Sequence, residues 1–153
     1  MKKARYDINI KNFLPHREPM LLATVTPYLD ESSVVTHFEI TADCIFLTSK
    51  GHLSETGLIE NAAQASTAIV GQSFFDDEDL EGKGNKLVGY ISAIKKAEIH
   101  ELPKINELLV TKAQLISRYD TGSMSVCTVT SSTFRNDDLI VDCTFNFLIH
   151  EVE

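Results

Sequence analysis

The segment 58–75 constrains this chain more than any other feature, because nearly every side chain in it is apolar or small. Leu58, Ile59, Ile69 and Val70 are interspersed with alanine, serine and glycine, so a helix formed here has almost no polar face. A helix of this kind must be buried on nearly all sides. Its small side chains also allow other backbone to approach closely, and the segment therefore predicts a central helix enclosed by a curved sheet.

Residues typical of a helix start stand just before and within this segment. Ser54 and Thr56 are candidate N-caps, and Glu55 and Glu60 place negative charge near the positive end of the helix dipole. The acidic, glycine-containing segment 76–86 follows the helix and predicts an exposed loop.

The rest of the chain is typical of β-structure. Residues 6–12 fit either a short strand or a helical turn, and the turn at 30–33 indicates a hairpin between the two strands beside it. Three further turns separate long β-branched runs after the helix. Strands grouped around one helix predict an α+β fold with an antiparallel sheet, not an alternating βαβ order. The predicted strands are 20–25, 34–40, 87–96, 108–118, 123–134 and 139–150.

The length of 153 residues suits a single domain spanning 1–153, because no linker, internal repeat or low-complexity block divides the chain. The net charge of −8 argues against non-specific binding to nucleic acid or to an anionic membrane. No segment reaches the length needed to span a bilayer. Cys44, Cys127 and Cys143 are widely spaced and lack zinc-ligand spacing, so we expect free thiols, no metal and a cytoplasmic location.

Two short strings carry a resemblance to a known family. The string Leu-Pro-His-Arg-Glu-Pro-Met-Leu-Leu at 14–22 resembles the Leu-Pro-His-Arg-x-Pro-(Phe/Met)-Leu-Leu opening of the 3-hydroxyacyl-acyl-carrier-protein dehydratases. The string Leu-Ile-Glu-Asn-Ala-Ala-Gln-Ala at 58–65 is similar to the Leu-Ile-Ile-Glu-Ala-x-Ala-Gln-Ala start of their central helix. Residues 90–97 resemble a strand of the same family. The resemblance implies a hot-dog fold, in which a curved antiparallel sheet wraps one long buried helix.

The loop before the helix departs from the family pattern. Residues 46–57 replace the usual Gly-His-Phe-Pro-Gly…Met-Pro-Gly loop, and an ungapped count from the helix glutamate places Phe46 where the catalytic histidine is expected. The chain is in this respect similar to the dehydratase-like proteins of aryl polyene and flexirubin pigment clusters. In that divergent branch the loop is rewritten, whereas the helix Glu and Gln remain.

The catalytic residues are predicted to be Glu60 and His52. A carboxylate in the first turn of a nearly apolar helix is costly to bury unless chemistry uses it, although a first-turn Glu is also stabilised by the helix dipole at an exposed start. On one continuous helix the separation from His52 to Glu60 would be about 12 Å. Catalysis therefore requires a folded-back loop or Glu60 of a second subunit.

Three more residues are candidates because they lie at the helix start. Gln64 lies one turn after Glu60 on the same face, and can orient Glu60 or the substrate, or be satisfied by backbone at a dimer interface. Free N–H groups at Gly57 and Leu58 can polarise a thioester carbonyl. A simple turn glycine is the alternative for Gly57.

His16 and Arg17 are the remaining predicted substrate-binding residues. They lie between Pro15 and Pro19, which force an extended or turning path. A histidine in this setting is more often a structural hydrogen-bonding residue than a catalytic one.

These assignments predict dehydration of a 3-hydroxyacyl thioester, bound to an acyl carrier protein, to the trans-2-enoyl thioester in fatty-acid-like or polyene biosynthesis. His52 would remove the α-proton, the N–H groups of Gly57 and Leu58 would stabilise the enolate-like oxygen, and Glu60 would protonate the leaving hydroxyl. No metal or redox cofactor is required. One alternative is a hot-dog thioesterase, in which the helix Glu activates water or attacks the thioester. The other is a non-catalytic subunit that pairs with an active partner.

The resemblance also implies a homodimer or larger assembly, with the acyl chain in an apolar tunnel between subunits. A heteromeric partner is an alternative that the sequence leaves open. Because acyl carrier proteins are acidic, docking on this acidic chain needs a local basic patch. The candidates, whose alternative is an ordinary solvated surface, are Arg17, Lys95, Lys96, Lys104, Lys112 and Arg118.

Overall fold

The computed structural model describes residues 4–72 and 87–152. The predicted loop at 76–86 and the last residues of the predicted helix lie outside these ranges. In the described part a short 3-10 helix (Ile10–Asn12) accompanies one α-helix and seven strands. These elements are β1 (Arg5–Ile8), β2 (Val25–Leu29), β3 (Ser33–Glu39), α1 (Glu55–Gln72), β4 (Leu87–Ile99), β5 (Leu108–Thr121), β6 (Met124–Arg135) and β7 (Asp138–Glu151).

The strands form one sheet in the order β1-β2-β3-β5-β6-β7-β4, in which every neighbouring pair is antiparallel. The predicted hairpin around residues 30–33 joins β2 to β3. The α+β arrangement of one helix on an antiparallel sheet, expected from the sequence, is confirmed. The strand that follows the helix, β4, lies at one edge of the sheet beside the last strand, β7.

Helix α1 packs against the sheet as its composition predicts. Ser54 caps the helix, since its hydroxyl accepts a hydrogen bond from Gly57 N–H at 3.2 Å. The helix begins at Glu55, one turn earlier than the predicted start at Leu58. Leu58 and Ile69 are fully buried and face a core that contains Phe145. Burial of each such side chain stabilises the fold by about 1.5–3 kcal/mol.

The prediction of a strand at 20–25 is wrong for most of its length, because β2 starts only at Val25. Leu21, Leu22 and Ala23 are buried as expected, but their segment follows an irregular path. The N–H of Leu22 donates to Gln64 Oε1 at 2.8 Å, and its carbonyl accepts from Asn61 at 2.5 Å. Helix side chains therefore satisfy this backbone in place of a neighbouring strand.

Strand β4 leaves large apolar side chains exposed at the edge of the sheet. Tyr90 is 55% exposed, Ile91 42% and Ile94 50%. An edge strand presents unpaired backbone groups on its outer side, and on β4 these groups lie beside three exposed apolar side chains.

Candidate active site

A cavity of about 350 Å³ lies between helix α1, the segment around Pro15, and strands β4 and β7. Its walls are mostly apolar, and Phe13, Phe147 and Ile149 contribute large side chains. Glu60, Gln64 and His16 line the same space. A mostly apolar cavity with a few converging polar groups is the usual form of a small-molecule site.

His16 and Glu60 lie side by side in this cavity. Nε2 of His16 is 3.6 Å from Oε1 of Glu60. The side chains keep 33% and 27% of their surface exposed, respectively, so each is partly buried and still accessible. Nδ1 of His16 is buried and has no hydrogen-bond partner among the described residues. An imidazole next to a carboxyl group is an arrangement that can accept and donate protons.

Gln64 fixes both the carboxyl group and the segment that carries His16. Its Nε2 donates to Glu60 Oε1 at 2.8 Å and to the carbonyl of Met20 at 2.7 Å, while its Oε1 accepts from Leu22. Gln64 bonds both to Glu60 and to the main chain; its predicted roles, orientation of Glu60 or the substrate and a place at a dimer interface, stay predictions. Gln64 thus joins the two strings on which the family resemblance rests.

Asn61 is a residue whose role sequence reasoning missed. It is fully buried, its amide donates to the carbonyl of Leu22, and its Oδ1 accepts from Thr111 at 2.8 Å. Thr111 also contacts the hydroxyl of Thr133 at 2.9 Å. The available signal was an asparagine among the apolar and small residues of the helix, at a position where the family string has alanine.

Arg17 does not line the cavity. Its guanidinium donates to three main-chain carbonyls: Leu14 at 2.9 Å, His16 at 2.7 Å and Lys11 at 3.4 Å. These contacts bend the chain around Arg17 and hold the backbone of His16. The geometry places Arg17 as a brace for the segment; its predicted contact with substrate stays a prediction.

The N–H groups of Gly57 and Leu58 are already hydrogen-bonded within the chain. Gly57 N–H donates to Ser54 Oγ, and Leu58 N–H donates to the carbonyl of Ser54 at 3.0 Å. Both residues are buried, and neither lines the cavity. A Cβ at Gly57 would meet Leu53 and Phe46 at 2.7 Å. Close packing of the loop on the helix therefore explains this glycine, and the expectation of free oxyanion donors here is corrected.

His52 lies elsewhere on the chain. It pairs with Lys104 in a short β-bridge and lines a separate, open depression with Thr48 and Glu101. Within one chain the histidine beside Glu60 is His16. The expected folded-back loop does not bring His52 into the cavity, and its approach to Glu60 of a second subunit stays a prediction.

Cys44, Cys127 and Cys143 are free thiols in the structure. Burial raises the pKa of the Cys143 thiol to about 11 and also raises that of Cys127. Across 4–72 and 87–152, no group of three or more His, Cys, Asp or Glu is placed to hold a metal ion. No helix of the described chain is long and apolar enough to cross a membrane.

The family model ApeP-like, described as ApeP dehydratase, matches residues 8–146. The chain belongs to the ApeP-like dehydratase family. This confirms the predicted divergent branch of hot-dog dehydratases related to aryl polyene clusters. No curated protein sequence matches the chain significantly.

Solved structures place this ApeP-like chain among hot-dog proteins. A chain of the dehydratase heterocomplex ApeI:P from Xenorhabdus doucetiae is similar with a TM-score of 0.76 at 17% identity, covering 97% of this chain and 93% of that one. A sigma28-regulated virulence protein of Campylobacter jejuni gives 0.64 at 12% identity, with coverage of 93% and 84%. The E. coli PaaI protein of the phenylacetic acid degradation operon gives 0.53 at 14%, with coverage of 82% and 80%. The predicted hot-dog fold is confirmed.

Proposed function

We propose that this chain removes water from a 3-hydroxyacyl thioester carried by an acyl carrier protein and yields the trans-2-enoyl thioester in fatty-acid-like or polyene biosynthesis. The observation that carries the proposal is the pairing of His16 with Glu60 in an apolar cavity. Membership of a dehydratase family supports the reaction class. The apolar walls suit an acyl chain, and the acid–base pair suits elimination.

The spacing of the pair matches the demands of this elimination. The α-proton on C2 and the hydroxyl on C3 sit on adjacent carbons, so the groups that act on them must lie close together. His16 Nε2 and Glu60 Oε1 are 3.6 Å apart. In our proposal neutral His16 takes the C2 proton, and the electrons of that bond form the C2–C3 double bond. Protonated Glu60 supplies a proton as the C3–O bond breaks, so the leaving group departs as water.

The same contact restores the site after each turnover. The reaction leaves the proton on His16 and the charge on Glu60. Direct transfer of that proton from the imidazole to the carboxylate regenerates both starting states without another group. Gln64 donates to the carboxyl oxygen that lies near His16, so it holds the carboxyl group in place during both transfers. This assignment substitutes His16 for His52 as the base.

We also propose that a second chain covers strand β4 and closes the cavity. Tyr90 and Ile91 belong to this exposed edge and line the cavity as well. Pairing of β4 with another edge strand would bury both side chains and satisfy its outer backbone groups. The similar structure from Xenorhabdus doucetiae is a heterocomplex, which supports a heteromeric partner beside the homodimer. The predicted approach of His52 to Glu60 of a second subunit also requires such a partner chain.

The test is turnover of a 3-hydroxyacyl-carrier-protein thioester followed by mass spectrometry, with wild type, Glu60→Gln, His16→Asn and His52→Asn. Loss of the mass of one water by the wild type establishes dehydration. We expect Glu60→Gln and His16→Asn to lower kcat by about 10²–10⁴-fold, the range for loss of general acid–base catalysis. His100→Asn, an exposed strand-end histidine, is the matched control and should retain activity.

Other outcomes would redirect the assignment. Release of free acid would identify a thioesterase. No change of the substrate by the chain alone would favour the non-catalytic subunit, and the partner chain would then be added. Loss of activity in His52→Asn but not in His16→Asn would overturn the role proposed for His16 and restore the cross-subunit arrangement.

A further inference from the structure

One face of helix α1 runs along the cavity from the acid to the end of the described helix. Glu60, Ala63, Gln64, Thr67 and Gly71 all line the cavity, and their spacing of three or four residues places them on one face. From Glu60 to Gly71 the helix rises by about 16 Å, at 1.5 Å per residue. The cavity therefore has a defined direction, with the acid–base pair near one end of this face and a glycine at the other.

The part of this face that lies farther from the acid than Gln64 carries small side chains. Beyond Gln64 come Thr67, whose hydroxyl donates to the carbonyl of Ala63 at 2.8 Å, and then Gly71. Phe13 and Phe147 also line the cavity. A polar head at Glu60 and an apolar tail along the helix suit an acyl chain that lies parallel to α1 with its reacting carbons at the acid.

The helical backbone conformation at position 71 does not require a glycine. It lies within helix α1, where glycine is about 0.8–1.0 kcal/mol less favourable than alanine. A Cβ at Gly71 would approach Phe13 O at 3.4 Å, which is ordinary contact. Among the described residues alanine would thus fit, and it would favour the helix, so what glycine contributes here is space in the wall of the cavity.

Gly89 on strand β4 has the same property. A Cβ built there would lie 3.6 Å from Ile149 Cγ1, again an ordinary contact. Gly89 and Ile149 are paired across β4 and β7, and both line the cavity. A glycine inside a strand weakens that strand, and it often marks a site where a ligand or another backbone segment approaches closely. Two glycines that local structure does not need therefore face the same space from different elements.

We propose that Gly71 and Gly89 determine the length of acyl chain that this site accepts. The inference rests on the function proposed above and names the part of the substrate that these positions admit. The thioester and C3 hydroxyl lie at His16 and Glu60, and the far end of the acyl chain occupies the space left by the two absent side chains. Larger residues at either position shorten the available cavity without touching the acid–base pair.

The experiment compares kcat/KM over a series of 3-hydroxyacyl thioesters of increasing chain length, for wild type, Gly71→Ala, Gly71→Val and Gly89→Val. We expect the variants to retain activity on the shortest substrates and to lose about tenfold or more on the longest, the scale of one misplaced group in an apolar pocket. Gly71→Val should shift the preference further than Gly71→Ala. Ala42→Val adds bulk at an exposed residue outside both the cavity and β4, so its length profile should match wild type.

A binding assay on a variant that lacks the catalytic acid tests this inference independently of the proposed reaction. Displacement of a fluorescent fatty acid by the same thioester series is measured on Glu60→Gln and on Glu60→Gln combined with Gly71→Val. A loss of affinity confined to long chains supports the inference even if the wild type turns over none of them. An unchanged length profile in both turnover and binding, with circular dichroism showing folded variants, would overturn it.

Discussion

Replacement of Asn61 by alanine removes a buried amide that joins three parts of the molecule. Its Nδ2 donates to the carbonyl of Leu22, and its Oδ1 accepts from Thr111, which in turn contacts Thr133. The amide thus connects helix α1 to strands β5 and β6 and to the segment that follows His16. We expect Asn61→Ala to lower both the stability of the fold and the rate of dehydration.

The magnitude follows from which groups lose a partner. The buried carbonyl of Leu22 is left without its amide donor, which costs about 1–3 kcal/mol. Thr111 keeps its contact with Thr133 at 2.9 Å, so its hydroxyl adds little to the loss of stability. The space left by the missing amide adds a cavity penalty. From the unpaired carbonyl and the cavity together, we expect the free energy of unfolding to fall by about 2–4 kcal/mol.

Urea unfolding measures this change, with Ser66→Ala as the matched control. Ser66 is also fully buried on α1, but its hydroxyl donates only to Ala62 O one turn earlier at 2.7 Å. Its removal leaves no carbonyl orphaned in the helix, so we expect less than about 1 kcal/mol. If Asn61→Ala lowered the free energy of unfolding no more than Ser66→Ala does, the hydrogen bonds of Asn61 would not hold the segment around Leu22 in place. An effect on kcat larger than on KM would show displacement of the acid–base pair.

Three further predictions follow from the charges and thiols. Lys104→Glu and Lys112→Glu, at exposed positions outside β4, should raise KM for a carrier-protein substrate but leave KM for the corresponding pantetheine thioester unchanged, because only the protein partner carries the acidic surface. Equal effects on both substrates would exclude a docking role. Because burial raises the pKa of Cys143 to about 11, its thiol should resist alkylation at pH 8 until the chain is unfolded, as followed by mass spectrometry. Burial opposes ionisation of Asp30, but hydrogen bonds from Tyr28 and from the N–H groups of Ser32 and Ser33 outweigh it and hold its pKa below the ordinary value. The stability that Asp30 contributes should therefore be complete above its unfolded pKa of about 3.9 and disappear as the pH falls through the folded pKa. Asp30→Asn should unfold more easily than wild type at pH 7, and the gap should close in acid; a constant gap would contradict this origin.

Local patterns predicted most of the elements because each pattern has a local cause. The small and apolar residues from Leu58 onward can only form a buried helix, and Ser54 supplies the cap that starts it. The alternating runs after the helix became β5, β6 and β7 with ends within a few residues of those expected. The strand predicted at 20–25 is wrong because a run of buried apolar residues is typical of a strand, whereas here the side-chain amides of a helix distant in sequence satisfy the backbone.

The helix residues of the candidate site followed from the sequence, whereas its histidine did not. Glu60 and Gln64 are four residues apart on one helix face, and their hydrogen bond is a local consequence of that spacing. His16 is far from Glu60 along the chain, and only the docking of its segment on α1 brings their side chains to 3.6 Å. His52 is nearer in sequence but lies in the loop that packs beneath Gly57, and so faces another surface.

The sequence by itself determined that one buried helix would be wrapped by an antiparallel sheet, and that a carboxylate and an amide would share one helix face. Both follow from periodicity and composition, which act over a few residues. The tertiary structure alone decided which histidine of the chain meets Glu60, that the N–H groups of Gly57 and Leu58 are bonded to Ser54, and that Gly71 and Gly89 line one cavity with Glu60. These depend on contacts between segments distant in sequence, whose positions are set by packing and by buried hydrogen bonds formed only when the whole chain folds.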